Sequence, residues 1–481
     1  MGMADNENRS TTPESDAFRQ HISSDWAERI DPPAVLRDAA RSAAPRRTRV
    51  SAEYTGFRLV IPAGNAKQRS NDTDYLFRAH SDFAYLTGWG SDTEPDAVLV
   101  FEPAGSTHAC TVYFREPAGR DHEEFYANAS IGEFWVGPRP SAATVAGELG
   151  LATAHIDTLA EALTTKVPTI VIREADPGVT DLVDGLDRTP EDAERDTELA
   201  RVLSEMRLIK DDYEIDQMRR AVTATHLGFS DIARVLPAIG GQVRGERIIE
   251  GAFATRARLE GNGLGYNTIA ASGTHACILH WERNDGSVGV DDLVLIDAGV
   301  ELESYYTADI TRTLPVSGRF SPAQRQVYEA VLEAADAAFA IVRPGITFSE
   351  VHQTAMAVIA RKTAEWGLLP VSAEEALAPE NQHHRRYMVH GTSHHLGLDV
   401  HDCAHARRTM YQDGVVTAGM VFTIEPGLYF QPDDLTVPEE LRGIGVRIED
   451  DILVTATGAE NLSAGIPRTV AEVEAWIKPT R

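Results

Sequence analysis

Cysteine is scarce in this chain. Three thiols, Cys110, Cys277 and Cys403, stand among 481 residues, with no CxxC pair. An odd and scattered set argues against a disulfide framework and a thiolate zinc site, and it fits a reducing cytosol. Long apolar runs are lacking too. No stretch approaches the roughly 18 residues that mark a membrane-spanning helix. The start, MGMADNENRSTTPESD, has no apolar centre and reads as disordered, not as a secretory signal. Met1-Gly2 reads as an ordinary start, not a myristoylation site. Basic residues are in deficit, 45 against 73 acids, for a formal net charge of -28. So acidic a surface repels phosphate backbones and anionic membranes, and neither nucleic acid nor membrane is an expected partner.

What is present is ample core material, 43% hydrophobic, in a chain long enough for two or three domains. Phe57–Ile61, Ala97–Phe101 and Thr169–Ile172 read as short buried strands in a mixed α/β region. Asp25 opens a stretch that reads as a helix. The acidic segment DPGVTDLVDGLDRTPEDAERD, starting at Asp176, reads as the domain boundary. Beyond it, Asp211 or Asp212 caps a helix with Ile215, Met218 and Val222 on one face. Ser321-Pro322 starts another, which stops before Pro344-Gly345, and Ser349 starts a third through Met356 and Ile359. The expected division is an extension over 1–50, a mixed α/β domain over 51–200 and a catalytic domain over 201–481.

Four carboxylates stand out. Leu293-Val294-Leu295-Ile296 is an apolar run ending in Asp297, and Met420-Val421-Phe422-Thr423-Ile424 is another ending in Glu425. A buried strand that ends in a charge is costly unless that charge has a partner. Strand alternation puts Asp309, Thr311 and Thr313 on one face, and Arg447 and Glu449 on another. Between these pairs, seven of the sixteen histidines fall between His383 and His405. Four carboxylates sharing a pocket need neutralising, and two divalent cations balance them. With one imidazole the donor set is hard and oxygen-rich, which points to Mn, Co or Fe. Two such ions polarise a carbonyl and activate a water, which is hydrolytic chemistry. Alone, each acid reads as a surface charge, cap or turn residue; the ordered combination does not.

At this point the chain resembles the Xaa-Pro aminopeptidases, of the pita-bread metallopeptidase group. The residues that carry the likeness are Ile278-Leu279-His280-Trp281, VLIDAGVE at 294–301, ADITRTLPVSGRFS at 308–321, HGTSHHLGLDVHD at 390–402, TIEPGLY at 423–429 and GIGVRIEDDILVT at 443–455. RSNDTDYLFRAHSDFAYLTGW at 69–89 resembles the N-terminal domain of the aminopeptidase branch. The resemblance implies an α/β (α+β) fold: a smaller mixed α/β N-terminal domain serving assembly and substrate access, then a pita-bread domain with pseudo-twofold halves. It implies Asp297, Asp309, His394, Glu425 and Glu449 as metal ligands, with Asp309 and Glu449 bridging. Glu425 would also take the proton of the nucleophilic water, held as a hydroxide between two Mn2+ ions. His280 and His401 are implied to contact substrate and the tetrahedral intermediate, and His390, Tyr429 and Arg447 to lie near the proline pocket. The implied substrates are peptides with proline second, and the implied state is a cytoplasmic homo-oligomer, dimer or tetramer. An X-Pro bond has no amide N–H, and a polarised carbonyl attacked by an activated water does not need one.

Asp297 and Asp309 lie 12 positions apart, one more than the group leads one to expect, and the extra residue falls in the turn from Glu301 to Thr307. His394 stands beside His395; alignment favours His394, with His395 on the opposite face of an extended strand. Gly261–Gly265 reads as a loop, not a dinucleotide site. Cys277 reads as apolar filler, Trp89 and Trp281 as core, and His383–Arg386 as a solvated loop. Two alternatives remain: a prolidase, restricted to X-Pro dipeptides, and a non-catalytic pita-bread binding module. The presence of all five ligands, His280 and His401 disfavours the second.

Overall fold

A computed structural model describes residues 11–71, 73–164 and 167–477. The first ten residues, where disorder and an ordinary start are expected, lie outside them. Two compact units divide the chain, Met1–Thr197 and Glu198–Arg481. No helix among the described residues is long and apolar enough to cross a membrane.

The first unit is built on a five-stranded mixed sheet. Its spatial order is Ala152–His155, Thr107–Phe114, Val98–Ala104, Arg58–Pro62 and Thr169–Val171. The fourth strand, Arg58–Pro62, is buried throughout, which its β-branched, apolar run dictates. One expectation is corrected. The segment after Asp25 is not helical; helices form at Asp16–Ile22 and Asp38–Glu53 instead. Pro32-Pro33 explains it, removing two N–H donors and pushing the residue ahead of each proline toward extended backbone. The acidic segment over 176–200 is itself largely helical. Asp176 caps Pro177–Asp184 by accepting from the N–H groups of Gly178 and Val179, and Pro190 opens the helix Pro190–Met206. The prolines that look like breakers sit in first turns, where no donor is missed.

The second unit repeats one motif. In its first half, helix α1 (Asp212–Ile239) opens on a capping box in which Asp211 and Glu214 each accept from the other's N–H. It packs on α2 (Gly245–Glu260), and Gly228 admits the Phe253 ring so closely that a Cβ would lie 2.5 Å from it. Both helices flank an antiparallel sheet of β1 (Ile269–Ser272), β2 (Leu293–Ala298) and β3 (Ile310–Pro315), with β2 central. In the second half, α3 (Pro322–Ile341) and α4 (Phe348–Glu365) accompany a sheet of β4 (Val421–Ile424), β7 (Asp450–Val454) and the short strand Ala459–Asn461. A ribbon of β5 (Gly427–Tyr429) and β6 (Gly445–Arg447) lies between β4 and β7 in sequence. One apolar core runs through both halves, from Leu208 to Ile477.

Three further details correct the sequence reading. The cap of α4 is Thr347, not Ser349, because Glu350 at the third position completes a box with it. Gly263-Leu264 is not loop but pairs with Val300-Glu301. His383–Arg386 forms a 3-10 turn in which His384 is buried against the Ala376 carbonyl and Arg386 grips Asp434, so it is not a solvated loop.

Candidate metal centre

The hairpin of β2 and β3 delivers two acids. Its register is unbroken from Leu293↔Pro315 to Ala298↔Ile310 and sets Asp297 opposite Thr311, with Asp309 one residue before β3. The longer turn is absorbed beyond this ladder. Glu301 bridges Thr307, and Tyr305 takes a left-handed φ of 69°. Pairing of β4 with β7 sets Ile424 opposite Asp450, so Glu425 and Glu449 emerge side by side from adjacent strand ends. His394 is clasped to β4 by two bonds with Thr423, one from its N–H to the hydroxyl and one into its carbonyl.

All five side chains line one cavity of about 320 Å³, together with His280, His390, His401, Tyr411 and Arg447. Ligating atoms of Asp309, His394 and Glu449 lie within 4.8 Å of one another. His394 Nε2 stands 3.2 Å from Asp309, 3.6 Å from Glu425 and 4.0 Å from Glu449. Its neighbour His395 points away into a sheath of Phe348, Tyr411 and Phe422. His401 meets the His394 ring edge-on, with centroids 4.3 Å apart. His390 Nε2 and Arg447 Nη1 both reach the Tyr429 hydroxyl, at 2.7 and 3.2 Å. Arg447 also donates to Asp297 at 2.5 Å and to Thr311 at 3.1 Å, and the Thr311 hydroxyl donates to Glu449 at 2.7 Å. Cys277 stays buried beside the Phe430 carbonyl, and burial pushes its thiol up to about 12.

Electrostatics mark this cavity as short of positive charge. Burial pushes the Glu425 carboxyl up to about 7 against the pull of His394 and Arg447. Burial, then Asp309 and Glu425, hold Glu449 well above the usual carboxylate range. Burial disfavours a charged His394, yet Asp309 and Glu425 outweigh it and raise its pKa to about 9. His390 goes the other way, down to about 3, through burial and the nearby Arg447.

Two contacts show what the donors lack. The Tyr266 hydroxyl lies 2.6 Å from Asp297 and closer still to Asp309. A phenol has one proton, so it cannot donate to both. His394 Nδ1 is 3.2 Å from the His395 carbonyl, so Nδ1 is spent on that bond and Nε2 meets the carboxylates, its extra proton standing where a cation would bind. Divalent cations would end the Tyr266 conflict and replace the Nε2 proton, so the residues fit a metal pair. Sequence reasoning missed Tyr266 because no local pattern distinguishes it; it follows the glycine-rich 261–265 and reaches the site only through the fold. Tyr411 was missed too, and its sole cue is proximity in sequence to the histidine cluster.

Comparison with known proteins gives two family matches. The model of metallopeptidase family M24 matches residues 216–456, and that of the aminopeptidase P N-terminal domain matches residues 43–169. Xaa-Pro aminopeptidase 1 of Streptomyces coelicolor is 50% identical over 96% of this chain and 92% of its own length. A variant of Escherichia coli aminopeptidase P in complex with substrate superposes with a TM-score of 0.78 at 30% identity, over 92% of this chain and 99% of that one. Aminopeptidase PepP of Pseudomonas aeruginosa gives 0.79 at 31% identity, over 92% and 98%.

Proposed function

The chain belongs to metallopeptidase family M24 and is a metal-dependent aminopeptidase, and from that premise we propose which residues do the work and under what conditions. Asp297, Asp309, His394, Glu425 and Glu449 would hold two divalent cations. The observation that carries this is the convergence of four carboxylates and one imidazole in one cavity, where Arg447 and His394 alone do not offset the negative charge and Glu449 is held toward its protonated form. The hard, oxygen-rich donor set suits Mn, Co or Fe, and among these we assign manganese, the ion that the family resemblance implies.

When bound, the metal pair supplies Lewis acidity and lowers the pKa of water. The side chains do the rest. Glu425 takes a proton from the attacking water and passes it to the departing proline nitrogen. His280 and His401, at the same cavity, donate hydrogen bonds to the carbonyl oxygen as charge builds on it. His390, Tyr429 and Arg447, already joined by hydrogen bonds, form the wall against which the proline ring packs. The substrates are peptides with proline second. Residues 201–481 are proposed as the catalytic domain and 51–200 as a domain for assembly and access, behind an extension over 1–50. The matches at 43–169 and 216–456 support that division. We further place the enzyme in the cytoplasm, in keeping with its unpaired thiols, as a homo-oligomer.

The test is a metal-depleted preparation restored with Mn2+ and assayed on Xaa-Pro-Xaa and Xaa-Pro substrates. Cleavage of the tripeptide is expected, lost on chelation and reduced at least about 100-fold in Asp309→Asn. Full activity after exhaustive metal removal would sink the mechanism, and cleavage of the dipeptide alone would make the enzyme a prolidase.

A further inference from the structure

Glu246, in the first turn of α2, is a carboxylate with no solvent exposure and no part in the metal centre. Both its oxygens are saturated. One accepts from the Ser272 N–H at 2.9 Å and from His275 Nδ1 at 2.7 Å; the other accepts from Trp281 Nε1 at 2.8 Å and from the Gly286 N–H at 2.6 Å. His275 and Trp281 are themselves stacked, with centroids 3.8 Å apart and planes inclined by 25°. One side chain thus ties together both ends of the loop from Ser272 to Gly286.

That loop carries His280. Its ring is exposed to the cavity and has no hydrogen-bond partner among the described residues. Nothing bonded to the ring itself fixes where it lies. Its place is inherited from its backbone, held by Leu279 and Trp281 in a small apolar cluster with Leu295 and Tyr429, and by the bonds that Glu246 makes. We propose that Glu246 is a positioning residue for the reaction, setting His280 at the reacting carbonyl through the His275–Trp281 clip. The inference rests on the role given to His280 above.

Glu246→Gln is the direct test. An amide turned either way presents NH2 to two donors, so one side of the clip opens. Trp281→Phe is the second variant, because it removes one donor and keeps the ring, so it reports even if the first does not fold. Both are measured in the wild-type and His280→Ala backgrounds, with kcat and KM on an Xaa-Pro-Xaa tripeptide and affinity for Mn2+ alone. Each is expected to lower kcat by about tenfold or more, the scale of a misplaced catalytic group, with Mn2+ affinity unchanged. In the His280→Ala background neither should cost anything further. Losses that multiply in that background, or an unchanged kcat in both variants, overturn the positioning role. A wild-type enzyme inactive on the tripeptide would overturn the aminopeptidase reading itself.

Discussion

His394 and His395 are adjacent and share no chemistry. His394 faces carboxylates and is held charged toward about 9, whereas His395 is wrapped by three aromatic rings with neither nitrogen hydrogen-bonded. Burial, and then the nearby Lys210, drive the His395 pKa down to about 3. A folded-state pKa below the unfolded value of about 6.5 means that the unfolded chain binds the extra proton. Stability from this group is therefore complete above pH 6.5 and is lost as pH falls toward 3, by about 3 kcal/mol at pH 4. His395→Phe should be at least as stable as wild type at pH 7, since it also removes two unsatisfied polar atoms. It should shed part of the acid sensitivity between pH 6.5 and 4, read by denaturant unfolding at both ends. An unchanged acid slope would count against the buried neutral imidazole.

At the scale of elements, the β2–β3 hairpin is the part that tolerates least. Gly299 lies where β2 ends, and a Cβ there would stand 1.7 Å from the Ala308 carbonyl oxygen, just before Asp309. No side-chain shift relieves a clash with backbone, so Gly299→Ala must push the two acid-bearing segments apart. We expect it to weaken Mn2+ binding by about 10- to 100-fold, in line with losses of ligand support, by calorimetric titration. Ser321→Ala, which removes the capping box of α3, should instead cost about 1 kcal/mol of stability and leave Mn2+ affinity as it was. Equal metal affinity in Gly299→Ala and wild type would show that the hairpin is not what sets the ligand spacing. Where a helix starts on a side-chain cap the rule is local, which is why Ser321, and Asp211 or Asp212, are legible as caps in the sequence.

For the whole molecule, protons and metal compete for one buried cluster. Glu425 is raised to about 7, so between about pH 4.5 and 7 it holds in the metal-free native state a proton that the unfolded chain has released, and Glu449 is raised in the same direction. Stability of the metal-free protein from Glu425 is present at low pH and is lost as pH rises through 7. Cations take the protons' place. Mn2+ at 100 times its Kd should add about 2.7 kcal/mol per site, with release of protons on binding. That gain shrinks as pH falls from 8 to 6. Thermal melts with and without Mn2+ across that range, and calorimetry in buffers of different ionisation enthalpy, measure both effects. A melting temperature indifferent to Mn2+ at every pH would exclude the cluster as the metal site.

The sequence alone determined the chemistry's ingredients. Asp297 and Glu425 declare themselves because a charge at the end of an apolar strand needs a partner, and that is a local argument. The alternation around Asp309 and Glu449 is equally local. So are the strands of the first unit, at Arg58–Pro62, Val98–Ala104 and Thr169–Val171. Within 176–200 the prolines open helices, a role that shows only once the helices are seen. Tertiary structure decided everything that depends on long-range contact. Tyr266 reaches two acids 31 and 43 residues away, and Glu246 gathers donors from Ser272 to Gly286. It also decided which of two neighbouring histidines meets the carboxylates. Such facts have no period and no motif, because they are set by which surfaces the packed core brings together.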